Sequence, residues 1–585
     1  MNSQKVENLL NLSLDSTVEE REKSQILEVG FDREDRTWEV IVKFHGDIQK
    51  LADDTVKVQI LLNGYAIITI PESLLESLSK VEEIEYIEKP KNLIYAVYEA
   101  KRNSCIIPLT IGDNSLSGRG ILVAVIDSGI DYFLSDFQNQ TGSRILYLWD
   151  QTQTADAKKG WYPPTGFSIG VEYRKEQIDE AISTGDRISA REIVPQTDIS
   201  GHGTAVAGIA AQSSSSQLYR GIAPESELII VKLGIPREEG FPRTTELMRA
   251  ISYVLQKSTD LERPVAINLS FGNTYGPHDG TSLLERFMDN ASEVGRNVIC
   301  VGSGNEAATG GHTSSRLETI QNVELAVGEF EQSINVQLWK NYTDVFSITL
   351  IAPNGDRYEV NQGLPGRQTF RVLNTQILIY IGMPTPYSVN QEIFFDFIPT
   401  DTYINAGVWT FVLSPVKIVN GIYQMYLPSA ATRSADTRFF TPNPELTLTI
   451  PSTSSKVITV GAYNSLFNSY ADFSGRGAEF TRESILVANP GVKPDIVAPG
   501  VGIQAPVPGG GYETLKGTSF ATPVVTGSAA LLMQWGISNG NDNYLYGEKV
   551  KAYLISGARP LPGYREYPNP QVGWGALCVG DSLPV

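Results

Sequence analysis

The chain has 585 residues, of which 41% are hydrophobic and 19% are charged. This composition is typical of globular proteins and excludes a disordered chain, and the length predicts several domains. The formal net charge of −19 argues against binding of nucleic acids through their phosphates, and its long-range field would favour basic substrates.

The cysteines do not indicate a metal site or a disulfide scaffold. Cys105, Cys300 and Cys578 are odd in number, and none has a Cys or His neighbour at ligand spacing. We therefore expect all three to be small buried hydrophobic residues, and we expect neither a metal nor a cofactor.

We expect neither a targeting segment nor a membrane span in this sequence. Residues 1–25 lack a basic start followed by an apolar core, so no signal peptide is expected. The apolar run from Ala521 to Trp535 is too short for a membrane span and fits a buried helix. The sequence therefore predicts a protein made and kept in a reducing compartment.

Residues 1–100 are predicted to form a small α+β unit. WEVIVKF (38–44) alternates as a strand does, and Asn63-Gly64 between VKVQILL and YAIITI is a strong hairpin signal. PESLLESLSKV predicts a short helix, and EEIEYIEKP predicts a last strand.

From residue 101 the pattern changes to buried strands that alternate with helices, which predicts a doubly wound parallel α/β sheet. It resumes after residue 450 with KVITVGAY, KPDIVAPG and the helix at Ser519. The earlier strands are RGILVAVIDSG (119–129), SELIIVKLG (226–234), VAINLSFG (265–272) and NVICVGSGN (297–305), and the helices are GTAVAGIAAQ (203–212) and TTELMRAISYVLQ (244–256).

Between these two parts the period of hydrophobic residues changes to two. Seven or eight short strands without a helix predict an antiparallel β-sandwich or jelly roll, inserted into the α/β domain. We therefore predict an N-terminal unit at 1–100, an α/β domain at 101–318 and 451–585, and an inserted β domain at 319–450.

Four motifs supply chemically useful groups. Asp127 ends a strand in VIDSGID, His202 opens a helix in SGHGTAVAG, Asn305 follows a strand in VGSGN, and Ser519 opens a helix in GTSFATPVV. Each alone has a structural interpretation as a turn, capping or helix-start residue. Together they supply an orienting carboxylate, a general base, an oxyanion donor and a nucleophile. The chain order Asp, His, Ser is the one that subtilisin uses.

These motifs resemble those of the subtilisin-like serine proteases over 101–318 and 451–585. The resemblance implies that Asp127 orients His202, which acts as general base and acid, and that Ser519 attacks the scissile carbonyl. It also implies that the Asn305 side chain and the Ser519 backbone N–H hold the oxyanion. NLSFG resembles the substrate-binding strand, with Ser270, Phe271 and Gly272 beside the residue before the cut, and KLGIP (232–236) is expected on the other side of the substrate.

The N-terminal unit resembles a subtilase propeptide, whose tail KNLIYAVYEAKRNS (91–104) would lie in the cleft. We expect self-cleavage between Tyr95 and Ser104. A propeptide combined with a jelly-roll insert is similar to the clostridial Csp germination proteases. That resemblance implies retention in the spore and a protein substrate, the zymogen of a cortex-degrading hydrolase.

Two other functions remain open. The chain could be a signalling or binding protein that keeps the fold without turnover, or a general intracellular subtilase. The insert could stiffen the catalytic domain, or bind carbohydrate or a partner. His278 and His312 are expected to be hydrogen-bonded loop histidines with no ligand role.

Overall fold

The structure is a computed structural model. It describes residues 4–24, 26–91, 94–95, 102–110, 115–214, 220–236, 241–362, 366–478 and 491–584. Most of the expected processing window from Tyr95 to Ser104 lies outside the described residues.

The N-terminal unit is an α+β fold, as predicted. Its sheet has the order β1-β2-β4-β3, with β5 pairing β2, and Asn63, at a positive φ of 55°, lies in the turn that joins β3 to β4. The elements are α1 (Asn8–Asp15), α2 (Val18–Lys23), β1 (Phe31–Asp32), β2 (Thr37–Phe44), β3 (Lys57–Ile60), β4 (Tyr65–Pro71), α3 (Leu75–Ser79), β5 (Ile84–Glu88) and, in the tail, β6 (Ile94–Tyr95).

The first part of the α/β domain follows the predicted strand–helix alternation. Its strands are β7 (Leu122–Asp127), β8 (Gln138–Asn139), β9 (Gly142–Ser143), β10 (Ile145–Asp150), β11 (Val171–Arg174), β12 (Glu227–Lys232), β13 (Val265–Leu269), β14 (Phe271–Gly272) and β15 (Asn297–Gly302). Its helices are α4 (Lys175–Ser183), α5 (Arg187–Ile193), α6 (His202–Ala211), α7 (Thr244–Asp260) and α8 (Leu283–Ala291).

The inserted region contains two antiparallel sheets that enclose one hydrophobic core. One sheet has the order β16-β25-β18-β23-β22-β21 and the other β20-β19-β24-β17-β26. The strands are β16 (His312–Arg316), β17 (Gln321–Val327), β18 (Ile334–Asn341), β19 (Val345–Ile351), β20 (Arg357–Val360), β21 (Gly366–Val372), β22 (Thr375–Ile381), β23 (Asn390–Pro399), β24 (Gly407–Lys417), β25 (Ile422–Tyr426) and β26 (Arg438–Phe439).

The second part completes the central sheet, whose order is β11-β10-β12-β7-β13-β15-β27-β28 with β29 pairing β27. Its pairs from β10 to β29 are parallel, whereas β11 and β28 are antiparallel edges. The remaining elements are β27 (Ile458–Asn464), β28 (Ser469–Tyr470), β29 (Ile496–Pro499), β30 (Val501–Pro506), β31 (Tyr512–Lys516), α9 (Thr518–Met533), α10 (Glu548–Ser556) and α11 (Val579–Ser582).

Helices cover both faces of this sheet, as a doubly wound fold requires. On one face, side chains such as Val123 and Val125 pack with α6 and α9. On the other, Leu122 and Ala124 pack with α7 and α8, where the N-terminal unit adds its own hydrophobic residues. The carboxyl ends of the parallel strands therefore meet at one edge, where such folds place their sites.

The N-terminal unit also contacts the insert, which the sequence did not suggest. Leu9 and Leu12 of α1 share a hydrophobic cluster with Tyr380 and Phe394 of the insert. A propeptide-like unit therefore docks on two surfaces at once.

The expectation for the cysteines was wrong for two of the three. Cys105 and Cys578 form a disulfide, with their Cα atoms 4.8 Å apart across 473 positions of sequence, whereas Cys300 is free and buried as expected. Spacing could not reveal the pair, because only the fold brings the chain end beside the start of the α/β domain. Disulfides persist mainly in oxidising compartments, which weakens the inference of a reducing one.

One helical stretch in the described part of the chain, Thr518–Ser538, is long and apolar enough to cross a membrane, but 89% of its apolar window is buried inside the protein. It consists of α9 and the turn that follows, packed between α6 and the central sheet. Its composition is that of a core helix.

Candidate active site

Asp127 and His202 come together at the carboxyl edge of the sheet. All six residues of β7 are buried, and the strand ends at Asp127, whose Oδ1 lies 2.6 Å from Nδ1 of His202. With a proton on Nδ1, the imidazole donates to the carboxylate and keeps Nε2 as the basic nitrogen. Both side chains are almost fully buried, so the pair is shielded from water.

The start of α6 fixes the position of His202. Gly201 precedes it at a positive φ of 74°, a conformation that glycine adopts without strain. The carboxylate of Asp198 accepts from the backbone N–H groups of Gly201 (3.0 Å) and Thr204 (2.8 Å), and Ser128 Oγ donates to it (2.8 Å). Asp198 thus caps the start of this helix from outside it, whereas the N-cap position itself is Gly201.

Sequence reasoning missed both Asp198 and Ser128. The signal was available for Asp198, since an Asp shortly before a helical run is a capping candidate. Ser128 could not be assigned, because its contacts to Asp198 and to the N–H of Gly203 (2.9 Å) join segments that are about 70 positions apart.

Ser519 is the second residue of α9 and is only 3% exposed. Its Oγ donates to the carbonyl oxygen of Ser270 (2.7 Å), and Ser270 Oγ donates back to the Ser519 carbonyl (2.7 Å). The ring of Phe520, the next residue, lies 5.2 Å from the ring of His202. Ser519 is therefore held against the strand that leads to β14 with its hydroxyl directed to Ser270, and the next residue, Phe520, contacts His202.

Asn305 follows β15 and faces the first residue of α9. Its Oδ1 accepts from the N–H of Thr518 (3.0 Å) and also faces the Thr518 hydroxyl (3.3 Å). Because the amide oxygen is used in this way, the NH₂ group remains to donate elsewhere. Asn305 and Ser519 line one cavity of about 170 Å³.

This cavity collects most of the residues singled out in the sequence. Ser270, Phe271 and Gly272 form one wall, and residues 429–431 of the insert form part of another. The tail strand β6 pairs antiparallel with β14, with Tyr95 opposite Phe271 and Ile94 opposite Gly272. The N-terminal unit thus places its own chain on the strand beside Ser519.

Glu306 is a further cavity residue that the sequence did not single out. Its carboxylate accepts from Ser429 Oγ (2.6 Å) and from Thr309 Oγ1 (2.9 Å). The insert therefore holds a charged wall of the cavity in place.

Other expected residues lie away from this cavity. Lys232, the first residue of KLGIP, donates to the carbonyl of Thr197 (2.7 Å), and the role of that segment beside the substrate stays a prediction. His278 lies 2.6 Å from the Leu448 carbonyl and stacks on Tyr426, and burial lowers its pKa to about 4. His312 also stacks on Tyr426 but lies in β16, so the expectation of a loop was wrong for it.

No group of three or more His, Cys, Asp or Glu side chains in the described ranges is arranged to hold a metal ion. The chemistry available at this site is that of a buried Asp–His pair, a serine at a helix N-terminus and nearby amide donors. Such a set can carry out nucleophilic acyl transfer.

Comparison with family models identifies the fold. The model of the subtilase family matches residues 118–379 and 429–575. The chain belongs to the subtilase family of serine endopeptidases. In this subtilase, residues 4–91 match the Csp protease B prodomain, so the N-terminal unit is a prodomain as the sequence predicted.

A solved structure of the CspB protease of Clostridium perfringens is similar to this subtilase at 33% identity, with a TM-score of 0.73. The match covers 82% of this chain and 95% of that one. The chain is thus a subtilisin-like protease of the Csp type.

Curated relatives match over shorter stretches. The major intracellular serine protease of Bacillus subtilis is 28% identical over 243 residues, which is 41% of this chain and 59% of the relative. A subtilisin of Bacillus pumilus is 41% identical over 87 residues, or 15% of this chain. The aligned part spans only 26% of that subtilisin.

Proposed function

We propose that this subtilase is a serine endopeptidase that cleaves its own prodomain and then activates a protein substrate by proteolysis. Ser519 is the nucleophile, His202 the general base and acid, and Asp127 the residue that orients His202. The Asn305 side chain and the Ser519 backbone N–H stabilise the oxyanion. The observation that carries this proposal is the pairing of β6 with β14 beside Ser519, because a backbone pairing with a strand that lines the cavity supports the binding of a polypeptide there.

The buried carboxylate explains how the base works. In this structure the Ser519 hydroxyl donates to the Ser270 carbonyl, so the side chain turns toward His202 before the attack. The proton then passes to Nε2 of His202, and the resulting imidazolium is stabilised by Asp127, whose Oδ1 lies 2.6 Å from Nδ1. Low exposure of both side chains strengthens this interaction, because water does not screen it.

The substrate class follows from the resemblance to the Csp proteases. We propose that the substrate is the zymogen of a spore cortex-degrading hydrolase and that the protease is retained in the spore. The prodomain match and the similarity to the Clostridium perfringens CspB protease support this assignment. A general intracellular subtilase would instead degrade unfolded casein.

The test is Ser519→Ala in the full chain. The variant should remain a single polypeptide, whereas the wild-type chain separates into a prodomain and a body on a denaturing gel. Ser528→Ala is the matched control, since Ser528 lies in the same helix and bonds only the Val524 carbonyl in the described structure. Equal processing in Ser519→Ala would contradict the proposal.

Labelling by a fluorophosphonate separates an enzyme from a silent binding protein. The wild-type body should be labelled at Ser519, and Ser519→Ala should not. A wild-type body that is processed by an added protease but takes no label would favour the silent alternative.

A further inference from the structure

A second cavity, of about 250 Å³, lies on the His202 side of the active site. Its walls come from the loop after Asp127, from α5 and the segment between α5 and α6, and from the turn between β30 and β31. It shares no lining residue with the cavity beside β14. The two cavities are therefore separate, one beside Ser519 and the other beside the segment that leads to His202.

The acidic residues of this second cavity are already hydrogen-bonded. Asp198 caps α6, as described above. Asp131 accepts from the Phe133 N–H (3.2 Å) and the Gly509 N–H (2.8 Å), and both of its oxygens lie 2.8 Å from Nη1 of Arg187. The guanidinium of Arg187 also lies over the ring of Phe133, 5.0 Å from its centroid. The charges of Asp131 and Arg187 therefore compensate each other.

Two other lining residues have unused donors. Gln196 is 2% exposed, and neither atom of its amide has a hydrogen-bond partner in the described parts of the chain. Arg191, one helical turn after Arg187, is exposed and forms no ion pair within the described ranges. A buried amide without protein partners is unusual in a native protein, so the Gln196 amide is available to a ligand. The free groups in the cavity are thus rich in N–H donors.

We propose that this cavity binds an acidic side chain of the protein substrate, on the segment that follows the scissile bond. This inference rests on the proposed function. The guanidinium of Arg191 and the NH₂ of Gln196 donate to the substrate carboxylate, which accepts charge-assisted hydrogen bonds. The Gln196 oxygen accepts a main-chain N–H of the same segment.

The position of the second cavity supports its assignment to the substrate residues that follow the scissile bond. Residues before the scissile bond pair with β14, as Ile94 and Tyr95 do. The loop before His202 and the hairpin before Ser519 adjoin the general base and the nucleophile in the chain, so a substrate that continues past Ser519 is expected to pass them. Both of these segments line the second cavity. The N–H donors of the cavity attract an acidic side chain at short range, although the net charge of −19 repels it at long range.

The test uses processed wild-type protease and pairs of fluorogenic peptides that differ only by Glu or Gln at one position after the scissile bond, with that position stepped along the peptide. At one position we expect kcat/KM for the Glu peptide to exceed that for the Gln peptide by about tenfold, the size of a charge-assisted hydrogen bond. Arg191→Gln should abolish this preference. Gln196→Leu should weaken it and also lower kcat/KM for the Gln peptide, because this variant loses the main-chain contact as well. Arg565→Gln, at an exposed arginine outside the cavity, is the matched control.

Equal kcat/KM values for Glu and Gln at every position, or a preference that persists in Arg191→Gln, would overturn the inference while fluorophosphonate labelling still supports the protease. If the wild type neither cleaves nor labels, the proposed function fails, and peptide binding to Ser519→Ala by fluorescence anisotropy still tests the cavity. The last measurement is the binding of inorganic phosphate to the protease and to Arg191→Gln. Phosphate binding that depends on Arg191, without any preference for acidic peptides, would mark a free-anion site and would also overturn the inference.

Discussion

Tyr95 of the prodomain tail lies directly opposite Phe271 of β14, in an antiparallel pair that also joins Ile94 to Gly272. The residue before Phe271 is Ser270, whose carbonyl oxygen accepts the Ser519 hydroxyl at 2.7 Å. The prodomain tail is therefore aligned with the nucleophile to within one residue.

This register narrows the processing window. In an antiparallel pair each step along one strand matches one step back along the other, and the last described pair, Tyr95 with Phe271, is one step from Ser270. Positions 96 and 97 lie outside the described residues, and the prediction rests on the two pairs before them. We expect cleavage between Ala96 and Val97. Sequencing the N-terminus of the purified body should read Val97, and a start beyond Ser104 would contradict both the register and the window.

The oxyanion donor gives a prediction for the rate. Asn305→Ala removes one side-chain donor, and we expect kcat to fall about 10²–10³-fold with little change in KM, because the donor acts on charge that develops in the transition state. Steady-state kinetics on a peptide substrate measures this. Thr309→Ala is a control that removes a contact to Glu306 but no oxyanion donor, and an unchanged kcat in Asn305→Ala would mean that the oxyanion is held by other groups.

The docking of the prodomain should depend on pH through Glu392 of the insert. Burial, and then the charge of nearby Glu7 of the prodomain, raise the pKa of Glu392 to about 8, although Lys91 acts in the opposite direction. Glu88 also faces this group, and Asn8 Nδ2 lies 3.4 Å from its carboxylate. A raised carboxyl pKa favours the docked state at low pH, and this contribution is lost as pH rises through about 8.

We therefore expect more prodomain to separate from the processed body at pH 9 than at pH 6, by about tenfold, the size of one pKa unit of differential protonation. Size-exclusion chromatography of the processed protein at each pH measures this fraction. Glu392→Gln should flatten the dependence, and Glu359→Gln, at an exposed position of the insert, should not. Release that is independent of pH in the wild type would show that Glu392 does not control docking.

The cysteine pairing predicts the number of free thiols. With Cys105 and Cys578 joined and Cys300 buried and free, a thiol reagent should titrate one thiol per chain in denatured, unreduced protein. Reduction should raise the number to three. Three thiols before reduction would mean that the pair is not oxidised under the conditions of purification.

Much of the fold was predictable from local pattern. The short apolar run that ends at Asp127 is typical of a buried parallel strand, and the longer apolar run after Ser519 fits a core helix. The resemblance of the four motifs to the subtilases added the family, which the family model confirmed. The prediction that Asn63-Gly64 joins two strands was also correct, because a positive φ at that position is a local requirement.

Contacts between distant segments could not be predicted in this way. The donor-rich cavity of Arg191 and Gln196, the disulfide of Cys105 with Cys578 and the contact of α1 with the insert have no local signature. Each depends on which surfaces meet after the sheet has formed. Element type follows from short-range periodicity and turn chemistry, whereas these contacts follow from long-range packing that encloses the residues together. The motif residues and their order along the sequence therefore identify the chemistry of this protease. Only the folded chain aligns Tyr95 with Phe271 beside Ser519.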